Sequence, residues 1–479
     1  MKKALALLLA LLGCGMVLSA EAPYVMNVLY PGEPSARMST FLDNEFKAAI
    51  EKDLNITPKI AFAPWSNYFN KIDMMLAANE SVDWFWHGTF ATGLYVARKQ
   101  VQPLNDLLAK YGPDILRMIP KDNFRPNTIN GKIYSIPSQA SSTAEKFYTI
   151  LARTDILDQV GVKTISSFQE LLDACAKVKA KFPDMTCFAS VPWQALLREA
   201  APGWYTTDFG ITIVNENEAA PKAYAFLEQK DIIKKLNALA KTLVDKGYVS
   251  EEMLSDPNND VGRFQSGNCV FWAGAVSRPL EQAAAVQKNV PSAMLREFSL
   301  NPKAARYIFM SSNEAIFIPV SNKNPEKAIQ FLNWIYKSQE NYDLTLFGVK
   351  GKDFSVDSGN HIARSNMDDL FYEWMFRNNK YLRMPTNVNP DFVKDFQDWD
   401  KGAKYSKLYG FNFDATPVKA EAAKINALAN QWNPLVWGLV DASKGSNYDT
   451  VLKALKNAGI DKYMAEFNKQ LAAYRAASK

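Results

Sequence analysis

The segment Glu80 to Phe90, ESVDWFWHGTF, gathers four large aromatics and one of the chain's two histidines. An indole or phenyl ring can stack on the apolar C–H face of a sugar, while Asn, Gln, Asp, Arg and His reach the hydroxyls at its edge. Aromatic supply is high throughout, with 11 Trp, 20 Tyr and 28 Phe. Trp65, Trp86, Trp193, Trp204 and Trp272 fall next to Pro or Gly, or at the expected ends of strands. A core more often places Trp mid-strand among aliphatic neighbours. Taken singly, each of these indoles is as consistent with a core as with a binding surface. The case for a stacking site rests on five at positions of one kind.

Other chemistries find little support. With only His87 and His361, a histidine-rich metal site cannot be assembled. The strings Gly-x-Ser-x-Gly, His-Glu-x-x-His and Gly-x-x-x-x-Gly-Lys-Ser/Thr are missing, and no cofactor or metal is implied. Asp256 to Asp260 offers oxygen ligands at short spacing but lacks the central glycine and final glutamate of a calcium loop, so it reads as a solvated turn. Carboxylates are numerous enough for a glycosidase pair, yet nothing singles one pair out.

The elements that must position these residues alternate strand and helix, which predicts an α/β fold with largely parallel sheets. Residues 24–32 and 57–64 read as strands, 36–54 and 66–79 as helices, with Ser66 as the second helix's cap. Residues 82–86 form a third strand, so 86–90 occupy a strand's carboxyl end, where ligands gather in open α/β sheets. The pattern restarts near 147, with a helix at 167–182 and strands at 185–193 and 266–274. Residues 313–344 return as strand, loop and helix, and 420–479 are helical with a Gly-Ser break at 445–446. At 479 residues, two lobes of ordinary size fit the length.

The N-terminus reads as an export signal: Lys2 and Lys3, the apolar run Ala4 to Leu12, then small residues before Glu21. Leu11 to Cys14 resembles a lipobox, which would anchor the protein through a lipidated Cys14. Cleavage after Ala20 is favoured, because it accounts for the apolar residues 16–18 as part of the signal. Hydrophobic residues make up 48% and charged residues 22% of the chain, as in a soluble globular protein. Removing residues 1–20 leaves 53 bases against 50 acids, too balanced for nucleic-acid or membrane-surface binding. Cys175, Cys187 and Cys269 remain. Export permits a Cys175–Cys187 disulfide, and three buried thiols are the equal alternative.

From about residue 26 to the C-terminus the sequence resembles the family 1 extracellular solute-binding proteins of ABC carbohydrate importers, most of all the lipoprotein LipO-like branch. The matching strings include WSNYFNKIDMMLAANESVDWFW, VQPLNDLLAKYGPDIL, NGKIYSIP and RTDILDQVG. Further along they include FQSGNCVFWAG, NKNPEKAIQFLNWIY and LFGVKGKDF, with Asn268 and Lys350 replacing the family's lysine and glutamate. YGFNFDATPVKAEAAKI and LKNAGIDKYMAEFNKQLAAY resemble the branch's uncharacterised C-terminal domain. The resemblance implies a two-lobe periplasmic-binding-protein-like fold of type II, with ligand held in the cleft between lobes.

Carried over residue by residue, the resemblance implies ligand contacts at Trp86, His87, Gly88, Thr89 and Phe90; Trp65 joins the candidates from its place among the five indoles. It also implies contacts at Ser138 and Gln139, at Pro192, Trp193 and Gln194, and at Trp272, Gly274, Ser277 and Arg278. His87 and Thr89 are unusual residues for that loop and leave the sugar's identity open. The expected lobes are 21–138 with 305–380, and 139–304 with 381–479. The implied partners are a carbohydrate and the membrane permease, with the protein a periplasmic or lipid-anchored monomer and not an enzyme. A secreted glycoside hydrolase and a receptor for a peptide or opine stand as rival readings.

Overall fold

The computed structural model describes residues 22–137, 144–207, 210–254, 256, 259–309, 314–364, 371–386 and 388–477. The first two strands of the first sheet lie where the alternating pattern placed them, but the expected third strand, 82–86, is corrected to Phe85–Gly88, which puts Trp86, His87 and Gly88 within the strand. Tyr24–Pro31 runs parallel to Ile56–Ala63, and a parallel bridge from Val28 to Trp84 brings in the strand Phe85–Gly88. Glu314–Phe317 pairs antiparallel with that strand, Glu314 opposite Gly88, and with Ser135–Pro137 on its other side. These directions put Pro31, Ala63, Gly88, Pro137 and Glu314 on one edge of the sheet. The chain therefore leaves this sheet and re-enters it at the edge where the loop after Gly88 lies.

The second sheet has Thr149–Arg153 between Cys269–Gly274 and Leu295–Phe298, both antiparallel to it, with Thr186–Phe188 parallel to Cys269–Gly274. Thr149, Gly274, Phe188 and Phe298 thus share the edge nearest the chain crossing. Two large clusters of buried apolar side chains follow the two sheets. One draws on Met26 to Ile136 and Ala315 to Tyr381. The other draws on Tyr148 to Phe309 and Leu408 to Leu471. The result is two α/β lobes, the arrangement that the resemblance implied.

Local chemistry sets the helix ends. Ser35 caps the helical run that begins at Ala36 by accepting from the Met38 amide, and Ser167 caps Phe168–Lys181 by accepting from Glu170. The expected cap at Ser66 is corrected: the helix Trp65–Ala77 starts directly after Pro64, so Ser66 lies inside its first turn. The expected strand 185–193 is shorter, Thr186–Phe188, because Pro192 opens the helix Trp193–Ala200 instead. Gly445 is the first residue of the helix Gly445–Ala458, and the turn into Ile460–Ala477 uses Gly459 at φ 94°. Cys175, Cys187 and Cys269 are buried free thiols.

Two arrangements lie at the lobe junction. The Glu145 carboxylate is buried, pairs with Arg198, and accepts from Tyr205 Oη at 2.9 Å and the Tyr307 amide at 3.1 Å. Arg198 also donates to the carbonyls of Leu300 and Ala304. This ties one crossing to the other. The segment 404–413 reaches both lobes: Lys404–Tyr405 pairs with Tyr307–Ile308, while the Arg125 guanidinium lies over the Tyr405 and Tyr409 rings. Asn412 Nδ2 donates to the Pro126 carbonyl at 3.0 Å.

Candidate functional site

At the carboxyl edge of the first sheet, aromatic rings from three distant segments converge. Trp65 opens the helix after Pro64, is 41% exposed, and donates through Nε1 to Tyr372 Oη at 2.9 Å. Tyr372 stacks on Trp374, with ring centroids 5.3 Å apart. Trp86 meets both groups, 5.5 Å from Trp65 and 5.1 Å from Trp374. Phe69, one helical turn after Trp65, covers His87 at 4.6 Å. Gly88 permits the next step of the chain, since a Cβ there would overlap the Phe90 ring folded back across it.

Within this edge, Trp86 Nε1, His87 Nδ1 and Thr89 Oγ1 are buried without a hydrogen-bond partner. Buried polar atoms are nearly always paired; Trp84 Nε1, sealed in the core, is also unpartnered, but these three adjoin exposed rings through which a ligand can supply partners. Burial pushes the His87 imidazole down to about 4, so at neutral pH it is uncharged and offers one donor and one acceptor. Trp86 itself is 7% exposed and Thr89 fully buried. The open surface of this wall is carried by Trp65, Phe69 and Phe90, each about 40% exposed or slightly less.

A cavity of about 250 Å3 lies against this wall. Phe90 closes it from the first lobe. Gln194, Tyr148, Thr206 and Phe309 line it from the second, and Phe411, Phe413, Tyr463 and Phe467 from the C-terminal segment. Lys146, from the crossing, is the charged side chain among the described lining residues, and its Nζ lies 2.5 Å from Glu314 Oε1.

The expected site residues divide accordingly. Phe90 and Gln194 line the cavity, and Trp65, Trp86, His87 and Thr89 form the aromatic edge behind Phe90. Trp193 is half-buried in the first turn of its helix and stacks on Phe226 at 5.9 Å. Trp272 is placed elsewhere: it is 2% exposed, packs on Phe264, and donates to Asp260 Oδ2 at 2.7 Å. Arg278 covers its ring at 4.1 Å, and Ser277 Oγ donates to Glu281 at 2.7 Å. A Cβ at Gly274 would overlap the Glu297 carboxyl, which full burial pushes up to about 8. The group Trp272 to Arg278 is therefore internal packing beside the second sheet's edge. Ser138 and Gln139 lie outside the described residues.

Sequence reasoning missed Tyr372, Trp374 and the four C-terminal aromatics. A signal existed in the alternation Phe411, Phe413 and in the four-residue spacing of Tyr463 and Phe467, which sets two rings on one helix face.

The sequence model of the bacterial extracellular solute-binding proteins matches residues 35–342. The chain belongs to that family. A domain of unknown function matches residues 407–476, the segment that lines the cavity's far side. A carbohydrate ABC transporter substrate-binding protein of Streptococcus pneumoniae is 22% identical over 94% of this chain and 91% of its own length. The crystal structure of the N-glycan transport solute-binding protein NgtS from Streptococcus pneumoniae is similar in fold. Its TM-score is 0.76 at 18% identity, covering 95% of this chain and 100% of that one. The alginate-binding protein AlgQ2 gives 0.61 at 15% identity, covering 95% and 99%. Among the described residues no helix is long and apolar enough to cross a membrane.

Proposed function

We propose that this solute-binding protein is the substrate receptor of an ABC importer, taking a carbohydrate between its lobes and delivering it to a membrane permease. The observation that carries this reading is a cavity lined by the second lobe and the C-terminal segment and closed by Phe90 of the first lobe, beside a strand edge where Trp65, Phe69 and Phe90 are exposed. A ligand that touches both walls binds the closed arrangement better than an open one, and so shifts the population toward closed. The relatives point the same way. One is named for carbohydrate transport, and NgtS has been crystallised with Man1GlcNAc and with Man5GlcNAc.

Binding without turnover is favoured over hydrolysis. A glycosidase needs two carboxylates at roughly 5–9.5 Å across the scissile bond, and no Asp or Glu is among the described residues lining the cavity. The protein is proposed to act as an exported monomer freed of residues 1–20, with attachment through Cys14 as the alternative. Mass spectrometry of the mature N-terminus separates these two.

The test is a thermal-shift and turnover screen against neutral oligosaccharides, mannose-containing glycans included, with alginate oligomers as the anionic arm. A ligand at 100 times its Kd adds roughly 2.7 kcal/mol of stability, and the sugar should be recovered intact. Released product would replace the receptor with a hydrolase, and no shift with any carbohydrate would overturn the reading.

A further inference from the structure

The C-terminal segment matched only as a domain of unknown function contains four rings that face the interlobe cavity. Phe411 and Phe413 precede its helices, while Tyr463 and Phe467 lie one turn apart on Ile460–Ala477. Phe413 packs on Phe467 at 4.8 Å and on Tyr463 at 5.2 Å; Phe411, Tyr463 and Phe467 are only 5%, 4% and 3% exposed, so Phe413 carries most of the group's open surface. Opposite stands Phe90 of the first lobe, 40% exposed.

Gln194 brings one side-chain amide to the chamber, and most of the other polar groups in between are committed within the protein. Thr206 Oγ1 is bonded to Tyr148 Oη at 2.9 Å, Ser406 Oγ donates to Glu216, and Lys146 is paired with Glu314. Buried polar atoms without partners occur beyond Phe90, at Trp86, His87 and Thr89. Phe90 therefore separates an edge able to hydrogen-bond from a chamber that offers chiefly ring faces. At about 250 Å3 the chamber is smaller than most pockets that enclose a whole small ligand, typically roughly 300–1,000 Å3.

We infer that residues 407–476 are part of the ligand site, and that their aromatic floor receives an uncharged, apolar portion of the carbohydrate. That portion is a single pyranose ring face or its apolar substituent, while the hydroxyl-rich remainder lies toward Trp86 and His87. This rests on the carbohydrate-receptor reading and adds to it a role for the C-terminal segment. Phe413 is the informative position, because it is half-buried and its ring joins the floor to the chamber.

The test compares methyl, phenyl and glucuronide forms of matched glycosides by calorimetry and saturation-transfer NMR. The proteins are wild type, Phe413→Ser, Phe413→Leu and Phe90→Ser, each checked for folding by circular dichroism. In the wild type the phenyl glycoside should bind about tenfold more tightly than its methyl partner, as expected for burying one ring. Phe413→Ser and Phe90→Ser should close that gap, Phe413→Leu should keep most of it, and the glucuronide should bind worst. A gap unchanged in both serine variants, or a glucuronide that binds as well as the phenyl glycoside, would overturn the inference. If no glycoside binds, the receptor reading fails, and phenol alone then decides the chamber. Binding to wild type but not to the serine variants supports it; equal signals or none refute it. Should Phe413→Ser not fold, Phe90→Ser on the opposite wall decides the outcome by itself.

Discussion

At the scale of single residues, the aromatic edge separates side chains that resemble one another in sequence. Trp65 presents an open face, whereas Trp86 is enclosed by Trp65, Phe69 and Trp374. Trp65→Ala should therefore weaken sugar binding while leaving ligand-free stability within about 1 kcal/mol, as for surface positions. Trp86→Ala should cost roughly 3–5 kcal/mol of stability, the range for a buried Trp, read from urea unfolding. Equal stability losses for the two would contradict this division. His87 makes a second, pH-dependent statement. Its ordinary pKa of 6.5 falls to about 4 because burial disfavours the imidazolium. Between those values the unfolded chain holds a proton that the folded chain does not, so stability present at pH 7 is lost as pH falls through that window. The urea midpoint should therefore fall more between pH 7 and pH 4.5 in the wild type than in His87→Gln, which cannot titrate. His87→Gln should also retain more ligand affinity than His87→Ala, since only the former keeps a donor and an acceptor.

At the scale of elements, the C-terminal helices are part of the second lobe's core. Ile425 and Leu435 are fully buried there and Trp432 is 5% exposed. Asn237, on the helix Lys230–Asp245, donates to the carbonyls of Leu435 and Val440 and accepts from the Ala442 amide. Asn237→Leu would strand these backbone groups in the interior and should cost roughly 2–3 kcal/mol, measurable as a lowered Tm. Truncation at residue 418 should remove cooperative unfolding of the second lobe, because Phe467, Leu471 and Tyr448 share its cluster. A truncated chain that melts like the full protein would show the helices to be an appendage. The amphipathic pattern showed that these helices need a partner. Which lobe supplies it depends on contacts such as Asn237 to Leu435, 198 residues apart.

At the scale of the whole molecule, the chain passes from one apolar cluster to the other between Pro137 and Tyr148, between Phe309 and Glu314, and between Tyr381 and Leu408, and Glu145 with Arg198 ties the first two passages together. Lobes joined in this way move as bodies, with a few crossing residues absorbing the rotation. Ligand should compact the protein in solution without changing its secondary-structure content. Small-angle scattering with and without saturating sugar checks this, together with far-ultraviolet circular dichroism. An unchanged radius of gyration would rule out closure as the response to ligand. The contacts of Arg125 with Tyr405 and Tyr409 span the same gap and place the C-terminal segment among the surfaces that closure must accommodate.

Local periodicity determined the α/β character and most strand and helix positions, while the two-lobe fold came from the chain's length and its family resemblance. The expectation of largely parallel sheets failed, since pairings such as those of Thr149–Arg153 and Glu314–Phe317 are antiparallel. Alternation of apolar residues specifies a strand such as Tyr24–Pro31 wherever it eventually packs. It also placed Trp86 to Phe90 at a strand's carboxyl edge, beside what proved to be an interlobe cavity. Only the tertiary structure decided which aromatic faces are open. Trp65 follows a strand end and Trp272 lies within a strand near its end, yet one borrows Tyr372 from 307 residues away and keeps an exposed face, while the other is sealed by Phe264, Asp260 and Arg278. The cavity floor was hidden for the same reason, since Phe413 and Phe467 meet Phe90 only after more than 300 residues have folded between them. An aromatic side chain lowers its free energy by leaving water against any suitable partner. Its local sequence shows that it seeks one, and long-range packing determines whether that partner is the protein's own core or a ligand.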